Sequence, residues 1–289
     1  MTEYINLVIA GTVQGLVIAL AALAISLSFA VARFPNAATG DTMTVGAYVA
    51  VLVQAATAGS LLAGSIAAII VTTLVSVACY FLVFKKLERR PLVASLIASI
   101  GIAFFLRSML TFFLGFEQHV FQIPISRALN FSGIRIIPID LWLSGIAILV
   151  LAATFVLLFL TPLGRRMRAV AADMDLARAS GIRSGRVMIA LWAISGVLSA
   201  VAGIMVGIKT VVTPDLGWDL LLPAFAAAIL GGIGSPGGAV LAAILLGVAQ
   251  EVSTPFVGFT YKIALSFVAL IAVLIVRPAG LFGQPERVR

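Results

Sequence analysis

Ile146-Ala147-Ile148-Leu149-Val150-Leu151-Ala152-Ala153-Thr154-Phe155-Val156-Leu157-Leu158-Phe159-Leu160 carries no charge, and its one hydroxyl is Thr154. Polar and apolar residues do not alternate along it, which excludes a strand of a transmembrane barrel. Lipid offers no hydrogen-bond partners, so the backbone of such a run has to satisfy itself, and only a helix does that. The same reading extends outward from this stretch. Apolar runs divided by short polar breaks cover Tyr4–Ala32, Thr42–Ala56, Ser60–Phe84, Leu92–Gly115, Pro138–Thr161, Val187–Ile208, Trp218–Leu230, Gly238–Pro255 and Tyr261–Val276. At about 20 residues per crossing plus loops, the chain accommodates roughly eight or nine spans. The expectation is an all-α polytopic membrane protein, a single domain over residues 1–289.

Composition agrees. Of the 289 residues 62% are hydrophobic and 10% charged, too little polar surface to cover a water-soluble globule. A cytosolic enzyme, a secreted domain and a disordered tail are excluded. One cysteine, Cys79, and one histidine, His119, leave no intrachain disulfide and no cysteine- or histidine-based metal cluster. The net charge of +8 reads as membrane topology rather than as nucleic-acid binding. Met1–Asn6 contains Glu3 and no Lys or Arg, so it lacks the basic start of a cleavable signal peptide.

Most of the basic residues gather in four places: Arg33, the break Lys85–Pro91, the break Pro162–Arg186, and the tail with Arg277, Arg287 and Arg289. Nine spans put all four on one side, which the positive-inside bias makes cytoplasmic. The C-terminus is then inside and the N-terminus outside, whereas eight spans would put the N-terminus inside as well. Phe116–Ile137, with Glu117, His119, Pro124, Arg127 and Arg135, falls on the outer face as a connector, or as a cover for an entrance.

Two breaks are rich in Gly, Pro and small polar residues: Pro35–Thr42 and Gly231–Gly238. Broken helices in opposite halves of a transporter point to its substrate path, because freed backbone groups there can bind polar solutes. Asn36, Thr39 and Asp41 in the first break, and Gly231, Gly232, Gly234 and Ser235 in the second, are the candidates. Gly232–Gly237 fits G-x-G-x-x-G, but its flanks are membrane-spanning rather than a strand and a helix of a soluble unit, and the next acid, Glu251, comes too early, so it is not a dinucleotide site. The chain contains no phosphate loop of its own. Gly11 with Gly15, and Gly203 with Gly207, have the spacing of close helix packing.

In Pro162–Arg186 an apolar stripe of Leu163, Met167, Val170, Met174 and Ala177 recurs at helical spacing, with Arg165, Arg166, Arg168, Asp173, Asp175 and Arg178 off it. Gly181 stops the helix. Such a helix lies on lipid headgroups or docks into a cytoplasmic partner. Arg107 stands inside a span, where a central charge costs about 2.5–3.5 kcal/mol on insertion scales, and is expected to snorkel outward. Asp41 is expected to accept hydrogen bonds from Thr42 or Thr44. Glu251 and Lys262 are spaced to pair at the outer face. No catalytic constellation emerges, so the chain is not expected to be an enzyme.

Several stretches resemble branched-chain amino-acid ABC transporter permeases of the LivH type, rather than the longer LivM type. They are Leu160–Ala172 with Ala177–Ile182, Thr213–Gly217, Ala224–Ala239, Leu96–Gly101, Tyr261-Lys262 and Arg277–Gly283. The resemblance implies a bacterial inner-membrane importer. A second, LivM-type permease would pair with this chain, two cytoplasmic ATPase subunits would bind beneath, and a periplasmic solute-binding protein would deliver the cargo. ATP and Mg would be used by the ATPases, with no cofactor on this chain. The segment 162–186 would be the coupling element, with Gly164, Arg165, Met167, Arg168, Val170, Met174 and Gly181 engaging an ATPase groove. The family often reads Asn-Phe-Ala-His-Gly-Glu where this chain reads Asn36-Ala37-Ala38-Thr39-Gly40-Asp41, and often Gln where Arg107 stands. Branched-chain or other small amino acids are the first expectation for cargo. Urea, short amides or aromatic acids are the alternative, and an ion-coupled secondary transporter or a membrane scaffold are the rivals.

Overall fold

The computed structural model describes residues 2–57, 59–88, 90–123, 129–131, 134–258, 261–277 and 280–282. Arg89, Pro124, Arg127, Pro278, Ala279, Gly283, Arg287 and Arg289 lie outside the described residues. All nine apolar runs are helical: α1 (Thr2–Leu27), α2 (Ala38–Ala56), α3 (Leu61–Cys79), α5 (Leu92–Leu114), α6 (Pro138–Leu160), α9 (Ser184–Lys209), α10 (Leu216–Leu230), α11 (Pro236–Val257) and α12 (Lys262–Val276). The short α4 (Lys85–Leu87) continues α3, and α7 (Pro162–Ala172) and α8 (Met174–Ala179) form the polar segment before α9. Six helices are long and apolar enough to cross a membrane by themselves, with Leu216–Leu230 and Ala264–Val276 shorter. One departure from a purely helical chain is a hairpin of β1 (Leu129–Phe131) and β2 (Ile134–Ile136) in the Phe116–Ile137 loop.

Local chemistry sets the ends. The α1 helix widens into a π-helical turn, Ser28–Ala32, and stops at Arg33, whose φ of 63° is left-handed. Ser60, Thr161 and Ser235 cap α3, α7 and α11 by accepting from backbone N–H groups, the last two followed by proline at the first helical position. The segment 162–186 is two helices, not one. Asp173 leaves helical geometry and its side chain accepts from the N–H groups of Asp175 and Leu176, at 2.9 and 3.0 Å, so it starts α8. Gly181 (φ +81°) ends α8, with Ile182 N–H donating back to the Ala177 carbonyl.

The α1 helix is the axis of the bundle. From Val17 to Ile25 every residue is fully buried, walled in by α9, α10 and α11. Outer helices keep a lipid-facing side: Leu62, Ile66, Ile70 and Leu74 on α3, and Phe104, Phe105, Phe112 and Phe113 on α5. The seam between α1 and α11 is made by glycine. A Cβ on Gly247 would fall 2.4 Å from Gly15 Cα, and one on Gly11 would fall 2.6 Å from Val248 Cα. Backbone lies against backbone here, as the small-residue spacing predicted. Gly247→Ala is therefore expected to destabilise by about 1–3 kcal/mol, the usual cost of overpacking. A thermal midpoint in detergent equal to that of the unaltered protein would refute it.

The two ends of the bundle differ in charge. At one end Arg33 donates to the Ala171 and Ala172 carbonyls, Arg178 pairs with Glu88, and Leu281 N–H donates to the Leu230 carbonyl. At the other end Glu3, Asn6 and Asp140 line one cavity, Gln54 bonds Gln122, His119 bridges Val212, Lys209 pairs with Asp140, and Lys262 pairs with Glu251 at 2.7 Å. The four basic places thus share one end wherever they are described, and the N-terminus lies at the opposite one.

Candidate functional site

The break after α1 does not return the chain to the surface. Ala37 N–H donates to Ser99 Oγ on α5, Ala38 N–H to Asn36 Oδ1, and Thr39 Oγ1 to the Asn36 carbonyl. Asn36, Thr39 and Asp41 are 3%, 0% and 0% exposed, so α2 starts inside the bundle. From there it runs to the end marked by Gln54.

A second helix starts inside the bundle, and it is α10. Its first turn crosses the first turn of α2, where a Cβ on Gly217 would lie 1.8 Å from the Gly40 carbonyl oxygen. Gly217 N–H donates to Thr44 Oγ1 at 3.0 Å. Leu230, at the far end of α10, is at the basic end of the bundle, roughly 20 Å away at about 1.5 Å per residue. Two half-helices therefore bring their N-termini together partway along the bundle, that of α2 buried and that of α10 open at Asp215, and each terminus carries roughly half a unit of positive charge.

Ionisable side chains collect at this crossing. Arg107 of α5 donates from Nε to Asp41 Oδ1 at 3.0 Å and from Nη2 to Asp41 Oδ2 at 3.4 Å, and its Nη1 lies 3.2 Å from Asp215 Oδ1. Its guanidinium also sits 5.0 Å from the Trp218 ring centroid and 5.7 Å from that of Phe104. Asp219, one turn on from Asp215, lines a cavity of about 400 Å3 with Gln14, Thr210, Thr213, Gln250 and Lys262. Tyr48 of α2 is 1% exposed, and its ring meets that of His119 edge-on, the centroids 5.6 Å apart.

Two expectations are corrected here. Arg107 does not snorkel: Leu114, the end of its helix, is seven residues on, about 10 Å at about 1.5 Å per residue. A fully buried carboxylate beside it is a better partner than distant water. Nor does Asp41 accept from Thr42 or Thr44, whose hydroxyls donate to the Thr39 and Gly40 carbonyls instead.

The second predicted break is a turn at the basic end, away from the crossing. The Leu230 and Gly231 carbonyls accept from Leu281 and Phe282, and Ser235 caps α11. A Cβ on Gly231 would fall 2.3 Å from Gly238, and Gly234 approaches Ala30. Neither Gly231, Gly232, Gly234 nor Ser235 reaches Asn36, Thr39 or Asp41. The partner of the first break is Thr210–Asp215, which Asp215 and Asp219 on an otherwise apolar run could have signalled.

At the basic end, the apolar stripe of α7 and α8 faces the chain's own core. Met167, Val170 and Ala177 are 1%, 1% and 4% exposed, and Leu163 and Met174 pack against the same cluster. Gly164 sits against the Leu158 carbonyl, and Arg168 donates to that carbonyl. Arg165, Arg166, Asp175 and Leu176 form the outward side. From α8 a chain of contacts runs inward. Arg178 bonds Ser184 and pairs with Glu88, Glu88 accepts from the Tyr80 hydroxyl at 2.9 Å, and Tyr80 stacks on Trp192. Trp192 stacks on Phe84, which meets Phe34 beside the first break.

Residues 7–274 match the family described as branched-chain amino acid transport system / permease component. The chain is similar to the high-affinity branched-chain amino acid transport system permease protein LivH of Escherichia coli, 29% identical over 292 residues that cover 96% of this chain and 94% of that protein. It is also similar to the corresponding permease protein BraD of Pseudomonas aeruginosa, 30% identical over 300 residues that cover 98% and 97%. Among solved structures, PsaBC from Streptococcus pneumoniae in complex with Fab has a TM-score of 0.51 at 14% identity, covering 96% of this chain and 92% of that one. At that identity the likeness is one of fold.

Proposed function

The chain belongs to the permease components of branched-chain amino acid transport systems, and from that premise we propose that it is one membrane half of an ATP-driven importer of branched-chain amino acids. The whole chain acts as one permease domain in the bacterial inner membrane, with its basic end and C-terminus in the cytoplasm and its N-terminus outside. A LivM-type permease completes the path, a periplasmic binding protein delivers cargo, and two ATPase subunits bind the basic end. ATP and Mg are handled on those subunits. The cargo route passes the crossing of α2 and α10, with Asn36, Thr39 and Asp41 at its wall. Gly231, Gly232, Gly234 and Ser235 flank the cytoplasmic exit as a fixed turn. The observation that carries the reading is that crossing. Two half-helices start at depth around four ionisable groups, an arrangement costly in a bilayer and suited to passing a polar solute.

The segment 162–186 couples to the ATPases through its outward side, Arg165, Arg166, Asp175 and Leu176, while Gly164, Met167, Arg168, Val170, Met174 and Gly181 hold its shape. Arg165→Glu with Arg166→Glu is expected to cut ATPase co-purification and leucine uptake at least tenfold without lowering the permease's thermal midpoint. Unchanged association would remove the segment from that role. The import reading itself is tested with the complete transporter in proteoliposomes. Leucine uptake that requires ATP supports it. Uptake by this chain alone, driven by an ion gradient without nucleotide, overturns it.

A further inference from the structure

We infer that the cavity where α9 enters the bundle is a phosphate site, occupied by the headgroup of an anionic phospholipid from the leaflet that the basic end meets.

The arginines of that end divide into two sets. Arg33, Arg168 and Arg178 are already engaged, by the Ala171 and Ala172 carbonyls, by the Leu158 carbonyl, and by Glu88 and Ser184. Arg166, Arg183 and Arg186 have no ion pair and no side-chain hydrogen bond among the described residues. These three line one cavity of about 450 Å3 with Leu163, Ser180 and Ile182, and among the described residues no carboxylate lines it. The neighbouring cavity, about 730 Å3, is lined by Arg33 and Arg178 but also by Glu88, Asp173 and Asp175, so the chain neutralises it by itself. Three positive charges without a counter-charge call for an anion with several oxygens, and guanidinium groups bind phosphate oxygens in pairs. The N-terminus of α9 adds to the field. Arg183 at its N-cap makes no side-chain cap, and the Ser184 hydroxyl is taken by Arg178.

Depth selects a lipid. Leu160, three residues before Leu163, is 76% exposed on the lipid-facing end of α6, and Gly164 is pressed against the Leu158 carbonyl, so α7 turns off at the rim of the apolar layer. On the other wall Ser184 and Val187 are already buried, so Arg183 and Arg186 flank the point where α9 re-enters the bundle. The three arginines therefore stand at headgroup level, with Leu163 and Ile182 as an apolar wall for the first carbons of an acyl chain. A basic pocket between spans at the membrane surface suits an anionic headgroup.

The test measures lipid retained in a neutral detergent by the purified permease and by its complex with the ATPases, read by native mass spectrometry. The probes are phosphatidylglycerol, phosphatidylcholine and inorganic phosphate. Both preparations are expected to retain phosphatidylglycerol, to hold phosphatidylcholine at least tenfold more weakly, and to keep the lipid when inorganic phosphate is added. Arg183→Gln with Arg186→Gln is expected to weaken phosphatidylglycerol at least tenfold at an unchanged lipid-free thermal midpoint, and Arg183→Lys with Arg186→Lys to restore part of the loss. Lys85→Gln with Lys86→Gln removes the same charge from the same end outside the cavity and is expected to leave retention intact. An equal loss from the lysine pair would reduce the effect to general surface attraction and overturn the site, as would full retention without Arg183 and Arg186. Displacement by inorganic phosphate would make the occupant a free anion, and loss of lipid on ATPase binding would give the arginines to the protein partner. Either result overturns the lipid assignment. Leucine uptake enters none of these readouts, so the importer reading stands or falls separately.

Discussion

Arg107→Met is expected to destabilise the permease by about 3–5 kcal/mol, the usual cost of removing one partner from a buried ion pair. The reason lies with the group left behind. Asp41 is 0% exposed, and both of its oxygens are held by Arg107. Without the guanidinium that carboxylate has neither water nor a donor of comparable strength. The first turn of α2, which also carries the Asn36 and Thr39 contacts, is then the place where the fold opens. Detergent-solubilised Arg107→Met should give a lower yield of monodisperse protein and a lower thermal midpoint. Asp41→Leu combined with Arg107→Met removes both charges and should recover much of the loss. Equal midpoints for the single and double variants would show that the pair is not what holds the crossing.

Gly217→Val is the second large effect, and its origin is steric. The added Cβ would stand 1.8 Å from the Gly40 carbonyl oxygen and 2.6 Å from Thr44 Oγ1, and the first of these is backbone that cannot rotate away. The two half-helices must separate, with loss of the Gly217–Thr44 hydrogen bond. Overpacking usually costs about 1–3 kcal/mol, and contact between two main chains belongs above that range. We expect Gly217→Val to accumulate little folded protein, and Gly217→Ala less than the unaltered chain. Gly145→Val is the control, because nothing stands within 4 Å of the Cβ it adds. Similar expression and melting for Gly217→Val and Gly145→Val would mean the crossing is loose.

The nine helices were legible because each is a long apolar run, and lipid permits only one way of satisfying such a backbone. The Gly11–Gly15 seam and the Glu251–Lys262 pair were legible because both depend on spacing along neighbouring helices. The crossing was legible in half. Asn36 and Asp41 are marked by Pro35 and Gly40, but the match to Asp215 is a long-range pairing that spacing does not encode. The Gly-rich Gly231–Gly238 turn drew attention because glycine marks tight turns and broken helices alike, and here it serves the turn. The stripe in α7 and α8 announced the apolar face but not the break at Asp173 that divides it between two helices. Which body covers an apolar stripe is decided by the fold, and here it is the chain's own core.

That last placement has a mechanical consequence. A lever bolted to its load has no backlash. Met167, Val170 and Ala177 are sunk into the bundle, and Arg33, Arg168 and Arg178 clamp α7 and α8 to the basic end of the bundle, so that in the proposed importer a push on the outward arginines would reach the helices without slack.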